Sequence, residues 1–215
     1  MDEVLGLTLA ELTERLAARA LSTSEVMAAV LDRIAAVNGQ VNAIVSLRDR
    51  DALMAEAAEV DAGPWRGPLH GVPMAVKDLV AVKGIRSTWG SPMFADYVPA
   101  ADEVLAARLR AAGAILIGKT NVPEFGLGSH SYNPIFGVTR NPYDLSRTAG
   151  GSSGGAGAAL ACGMGWVADG SDMMGSLRNP AGWNNVYGHR PTVGLVPGDG
   201  QGDLFLHPLS TLGPM

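Results

Sequence analysis

In the first sixty residues the apolar positions recur at helical spacing. Leu9, Leu12 and Leu16 follow Thr8, with Glu11 three positions after it. A hydroxyl and a carboxylate so spaced form a capping box, which predicts a helix start at Thr8. Ser22 and Glu25 repeat the device ahead of Val26, Val30 and Ile34. The short interval Arg19 to Leu21 predicts an αα-hairpin between the two. A short strand is expected within Val41 to Leu47, and a third helix from Asp51 to Ala58.

From Gly63 the pattern changes. Pro64, Gly67, Pro68, Gly71 and Pro73 punctuate a loop that leads into Met74-Ala75-Val76, with Lys77 at the end of the run. The run is too short for a helix and reads as a buried strand. A helix is expected over Asp102 to Ala112, ended by Gly113, and a second buried strand over Ala114 to Ile117. Strand, helix, strand is the α/β alternation. The expected fold is therefore α/β: a mixed central sheet flanked by helices. Residues 1–60 form a helical segment and 61–215 the α/β core of a single domain. Lys119 to Ser146 has little periodicity and carries Asn121, Pro123, Asn133, Pro134, Asn141 and Pro142. Long ordered loops of this kind are usually functional. A small-residue helix is expected over Ser153 to Cys162, a strand over Met164 to Ala168, and a glycine-bearing loop over Gly170 to Arg178.

Composition narrows the function. Hydrophobic residues are 47% of the 215, enough for a packed core. Lys and Arg number 16 against 21 Asp and Glu, and the net charge of −5 leaves no basic footprint for nucleic acid. No apolar run reaches 18 residues, so no membrane span is expected. Met1, Asp2 and Glu3 do not open a secretory signal. The single cysteine, Cys162, forms no internal disulfide and reads as a packed core thiol, so a reducing, cytoplasmic setting is expected. His70, His130, His189, His207 and Cys162 are scattered. They make no metal-ligand pattern, and neither metal nor cofactor is expected.

The candidate chemistry begins at Gly150-Gly151-Ser152-Ser153-Gly154-Gly155. Its glycines permit unusual backbone conformations and let main-chain amides approach a ligand. A phosphate cradle at a helix N-terminus is one reading, but no Gly-Lys-Ser/Thr follows. A nucleophile elbow is another, since Gly150-x-Ser152-x-Gly154 and Gly151-x-Ser153-x-Gly155 both match G-x-S-x-G. That motif needs a strand just before its serine, and the preceding Asn141 to Arg147 reads as loop. His189 and His207 follow it without a distinctive context.

A third reading takes in the flanks. The glycine–serine loop, then Gly170-Ser-Asp, then Gly175-Ser-Leu-Arg-Asn-Pro-Ala resemble the amidase signature family. The two serines stand 176 − 152 = 24 positions apart, as the family's paired serines do. Gly67-Pro-Leu-His-Gly-Val-Pro-Met-Ala-Val-Lys-Asp is similar to its lysine strand, and Gly118-Lys-Thr-Asn-Val-Pro-Glu-Phe to its next strand and turn. Thr139-Arg-Asn-Pro-Tyr-Asp and Gly188-His-Arg-Pro-Thr-Val-Gly resemble the segments before and after the signature. The pieces stand in family order over nearly the whole chain.

The resemblance implies a Ser–cis-Ser–Lys triad, with Ser176 as nucleophile, Ser152 as the relay that follows a cis peptide bond, and Lys77 as base. It implies an oxyanion hole from the backbone amides of Met173, Met174, Gly175 and Ser176, and hydrolysis of a small-molecule amide through a seryl acyl-enzyme. A lysine serves as base only when neutral, so burial must lower its pKa from about 10.4. The end of an apolar run is a site that desolvates an amine, although Asp78 beside Lys77 competes as an ordinary salt-bridge partner. Asp172 and Arg178 are expected to tie the nucleophile loop together, and Ser153 and Ser171 to orient their neighbours.

The chain departs from the family pattern twice. Met173-Met174-Gly175-Ser176 stands where the family has Thr-Gly-Gly-Ser. A positive φ at Met174 would strain the loop. Family catalytic domains are also about twice as long, so the chain is expected to be truncated at its C-terminus. The alternatives to an active amidase are a catalytically silent fragment that needs a partner or pairs as a homodimer, and the glutamine-hydrolysing component of a tRNA-dependent amidotransferase.

Overall fold

The computed structural model of the protein describes residues 3–198 and 209–215. His207 lies outside the described residues. Helix α1 spans Leu9–Ala17 and α2 Thr23–Val41, each opened by its capping box. The Glu11 carboxylate accepts the Thr8 amide at 2.8 Å, and the Glu25 carboxylate accepts the Ser22 amide at 2.9 Å. Arg19, with φ 54°, turns the chain between them. Helix α3 covers Arg50–Ala62, about a turn longer than expected. The strand expected over Val41 to Leu47 shortens to β1, Ile44–Val45. Helix α2 runs on to Val41, and the Asn38 side chain then takes the amides of Ala43 and Ile44 and the carbonyl of Ile44.

Strand β2, Pro73–Lys77, pairs in parallel with β3, Ile115–Thr120, through the crossover helix α4, Val104–Ala111. β1 joins the other edge of β3 antiparallel, giving a mixed sheet of order β1-β3-β2. Successive strand side chains face opposite sides. Ala75, Ile115 and Ile117 accordingly pack with α2 and α3, while Met74, Val76 and Leu116 pack with Val80, Val82, Ile85 and Ala106.

The long irregular stretch resolves into two small hairpins, β4 (Tyr132–Asn133) with β5 (Gly137–Val138) and β6 (Arg140–Asn141) with β7 (Asp144–Thr148). Asparagine side chains substitute there for a hydrophobic core. Asn133 accepts the amides of Ile135 and Phe136 and donates to Asn121 and to the Val122 carbonyl. Helix α5, Gly154–Ala161, packs its small residues directly on the sheet. A Cβ at Gly155 would lie 2.2 Å from the Asn121 amide nitrogen and 2.7 Å from the Ala43 carbonyl oxygen.

The strand expected over Met164 to Ala168 is not formed. Gly163, with φ 68°, closes α5 by returning the Met164 amide to the Ala159 carbonyl, and Trp166 donates its indole N–H to the Leu7 carbonyl. The strand begins instead at Asp169. β8, Asp169–Asp172, pairs antiparallel with β9, Thr211–Pro214, and the short helix α6, Arg178–Trp183, follows a tight turn. Residues 170–172 fall within the expected glycine-bearing loop over Gly170 to Arg178, and they form strand instead. Among the described residues no helix is long and apolar enough to cross a membrane.

Candidate active site

β2 carries Lys77 into the interior, where the side chain is 1% exposed. Its Nζ lies 2.8 Å from Ser152 Oγ, 2.7 Å from Ser153 Oγ and 2.8 Å from Ser171 Oγ. Three hydroxyls and no carboxylate therefore hold the amine. Burial pulls its pKa down from 10.5 to about 7, against the opposing charges of Asp169 and Asp172. Asp78, the competing partner, turns elsewhere. Its carboxylate accepts the Thr88 amide and hydroxyl and faces buried Lys119, whose ammonium donates to the Val80 carbonyl.

Ser152 and Ser153 sit in the turn before α5. The Gly151–Ser152 peptide is cis. A side chain at Gly151 would bring a Cβ to 2.7 Å from the His130 amide nitrogen, so glycine is required where these two backbones meet. Ser176 is hung from the same turn, because its carbonyl accepts the Ser153 amide at 3.0 Å. No hydrogen bond joins the Ser152 and Ser176 hydroxyls, and among the described residues Ser176 Oγ has no hydrogen-bond partner.

Asp172 shapes the Ser176 loop. Its buried carboxylate accepts the amides of Gly175, Leu177 and Arg178, takes a two-pronged contact from Arg178 at 2.9 and 3.0 Å, and faces Arg190 at 3.3 Å. Burial alone would raise its pKa, but the bonds from Arg178 and the amides outweigh burial and hold it well below the usual carboxylate range. This corrects one expectation. The Gly175 amide donates to Asp172 at 2.8 Å and does not face outward, since a carboxylate outcompetes water for an N–H that Gly175, at φ 110°, can turn inward. The amides of Met173, Met174 and Ser176 have no acceptor among the described residues. Met174 does not adopt a positive φ, so the departure from glycine there introduces no left-handed strain. Its side chain is 88% exposed.

Sequence reasoning missed two features. One is Asp169, whose Oδ1 accepts the Lys77 amide at 2.8 Å. The other is a wall of rings beside the serines. Trp89 meets Phe94 at 4.9 Å and Tyr97 at 5.5 Å, and Phe94 meets Phe125 at 6.2 Å. Gly126 connects this wall to the site, for a Cβ there would lie 3.7 Å from Ser152 Oγ. Aromatic residues spread over 89–125 give no periodic signal. A surface cavity of about 530 Å³ lies away from the serines, between α1, α2 and Trp65–His70.

The sequence model of the amidase family matches residues 25–215. The chain belongs to the amidase family. Among its relatives, an acylamidase of Rhodococcus erythropolis is 44% identical over 89% of this chain and 41% of its own length. A component of the glutamyl-tRNA(Gln) amidotransferase of Moorella thermoacetica is 45% identical over 99% of this chain and 44% of its own. Among solved amidase structures, a bacterial aryl acylamidase of the amidase signature family superposes with a TM-score of 0.88 at 34% identity, covering 98% of this chain and 45% of that one. The chain thus spans less than half the length of the amidase relatives it matches.

Proposed function

We propose that this chain carries the catalytic residues of a serine amidohydrolase acting on linear C–N bonds of small amides. The observation that carries the reading is the buried Lys77 amine, held by three hydroxyls and brought near neutrality by desolvation. A neutral amine has two N–H donors and one lone pair, and an ammonium has three donors, so the same three contacts serve both protonation states. Ser153 Oγ already faces the Ser171 amide at 3.4 Å as well as Nζ, which suits it to accept. Ser152 is then the hydroxyl that donates to the lone pair.

In this reading Ser176 Oγ attacks the amide carbon as its proton passes to Ser152 and the Ser152 proton passes to Lys77. The carbonyl oxygen becomes an oxyanion facing the amides of Met173, Met174 and Ser176, and one such donor contributes roughly 2.7–4 kcal/mol. Lys77 returns its proton through Ser152 to the departing nitrogen, leaving a Ser176 ester. Water then attacks the ester by the same relay and releases the acid. The lack of a Ser152–Ser176 hydrogen bond is compatible with this reading, because catalytic hydrogen bonds are commonly loose until substrate binds.

The test is mass spectrometry of the chain after exposure to a fluorophosphonate, beside a panel of small amides that includes glutamine. The expected result is a single adduct on Ser176, lost in Ser176→Ala. Labelling or amide turnover undiminished in Ser176→Ala would refute the nucleophile assignment.

A further inference from the structure

Lys77 is surrounded on every side, and the charges near it can be accounted for one at a time. α5, residues Gly154–Ala161, has no ionisable side chain. Asp78, just past the end of β2, and Lys119 of β3 face one another. At the end of β8, Asp172 is taken up by Arg178 and Arg190 and by three backbone amides. Asp169 remains. It is 5% exposed, and its Oδ1 accepts the Lys77 amide at 2.8 Å. Among the described residues its Oδ2 has no hydrogen-bond partner. Behind it lies an apolar cavity of about 190 Å³ lined by Met74, Leu105, Leu109 and Leu212, which offers it no donor.

Strands β2 and β8 share no backbone ladder, so the Asp169 side chain is the direct link from β8 to the Lys77 backbone. Strand alternation places Asp169 and Ser171 on the same face, and Ser171 holds the Lys77 amine. One strand therefore presents to one lysine a hydroxyl for its amine and a carboxylate for its backbone. The carboxylate has no cation of its own. An ionised oxygen buried without a donor is costly unless a nearby cation offsets it. Burial pushes the Asp169 carboxyl up, and the bond from the Lys77 amide and the charges of Lys119 and Lys77 act against that rise.

We propose that Asp169 is a positioning residue that sets the pH at which Lys77 becomes a base, by stabilising the ammonium form of the lysine across the β2–β8 junction. The proposal rests on the reading of Lys77 as the base. With Asp169 ionised, the amine holds its proton to a higher pH than its burial alone would allow. The two groups then titrate as a pair, and the acid limb of the activity belongs to both.

The substitution Asp169→Asn removes the charge and keeps an oxygen for the Lys77 amide. The measurement is the pH dependence of the second-order rate of Ser176 labelling by a fluorophosphonate, which needs no known substrate. The wild-type midpoint is expected near 7. In Asp169→Asn it should fall, by about one unit, because the carboxylate whose charge raises the Lys77 pKa is gone. Below the wild-type midpoint the variant should then label about tenfold faster. An unchanged or raised midpoint in a folded variant overturns the proposal, and a role confined to holding the two strands together would leave the midpoint in place.

A second measurement uses the wild-type chain alone, with ¹³C labels on the Asp carboxyl and the Lys ε-carbon. Asp169 ionised while Lys77 is still protonated supports the proposal, and Asp169 protonated throughout the Lys77 titration overturns it. If Ser176 labels at no pH, the nucleophile reading fails, and the ¹³C titration still decides the role of Asp169.

Discussion

Replacing Lys77 by methionine keeps an unbranched apolar stem as far as Cε and removes the terminal nitrogen with its charge. The folded chain lowers the lysine pKa from 10.5 to about 7, a gap equivalent to on the order of 5 kcal/mol. Between these two values the unfolded chain binds the proton and the folded chain does not, so stability rises with pH across that window. Below about 7 both states are protonated and the wild type bears the full penalty. Above 10.5 neither is, and the penalty is gone. Lys77→Met has no such dependence, but it strips Ser152, Ser153 and Ser171 of a shared partner, at about 1 kcal/mol for each hydrogen bond. The variant is therefore expected to be more stable than the wild type at about pH 6. Its advantage should shrink by several kcal/mol by about pH 10 and reverse in sign. Denaturant unfolding of both proteins at intervals across that range measures the difference, in which titrating groups other than Asp169, which is tied to Lys77, cancel. The same variant should label at Ser176 at least about a hundredfold more slowly. A stability difference that does not change with pH would show that Lys77 keeps its ordinary pKa in the fold, and the base assignment would lose its physical ground.

Three further outcomes follow from other parts of the molecule. Gly155→Ala should destabilise the chain by about 1–3 kcal/mol in a thermal melt, because its Cβ meets the backbone of Asn121 and Ala43. Asp172→Asn should cost on the order of 3 kcal/mol at neutral pH and slow Ser176 labelling. Because the folded chain depresses this carboxyl, the stability advantage of the wild type is present above about pH 4 and should fade as the pH is lowered further, which acid titration of the two proteins compares. Thr8→Ala should cost about 1 kcal/mol through the lost cap of α1, read by urea unfolding, and leave Ser176 labelling unchanged.

Local signals in this chain were legible wherever the physics is local. Capping boxes act over three residues, so Thr8 and Ser22 announce their helices. A parallel strand buried on both faces is apolar throughout, so β2 and the start of β3 read correctly, although β3 runs on through buried Lys119. Reading failed where polar residues do the burying. β8 is Asp-Gly-Ser-Asp, a strand by virtue of its ladder to β9 and of partners nearly a hundred positions away. The hairpins between 132 and 148 are held by asparagine side chains, which obey no hydrophobic period. The ring wall joins residues that only folding brings together.

The side chains available for chemistry can be read from the residues alone: one lysine closing an apolar run, two serines among glycines 24 positions apart, and a family pattern joining them. What they become depends on the fold. It put three hydroxyls around one amine, gave Asp78 to Lys119 and Thr88, turned the Gly175 amide to Asp172 and left Asp169 without a cation of its own. The physical reason is that pKa and hydrogen-bond allegiance depend on burial and on distances of about 3 Å. Those distances are set by packing between β2, α5 and β8, elements that the chain keeps far apart in sequence.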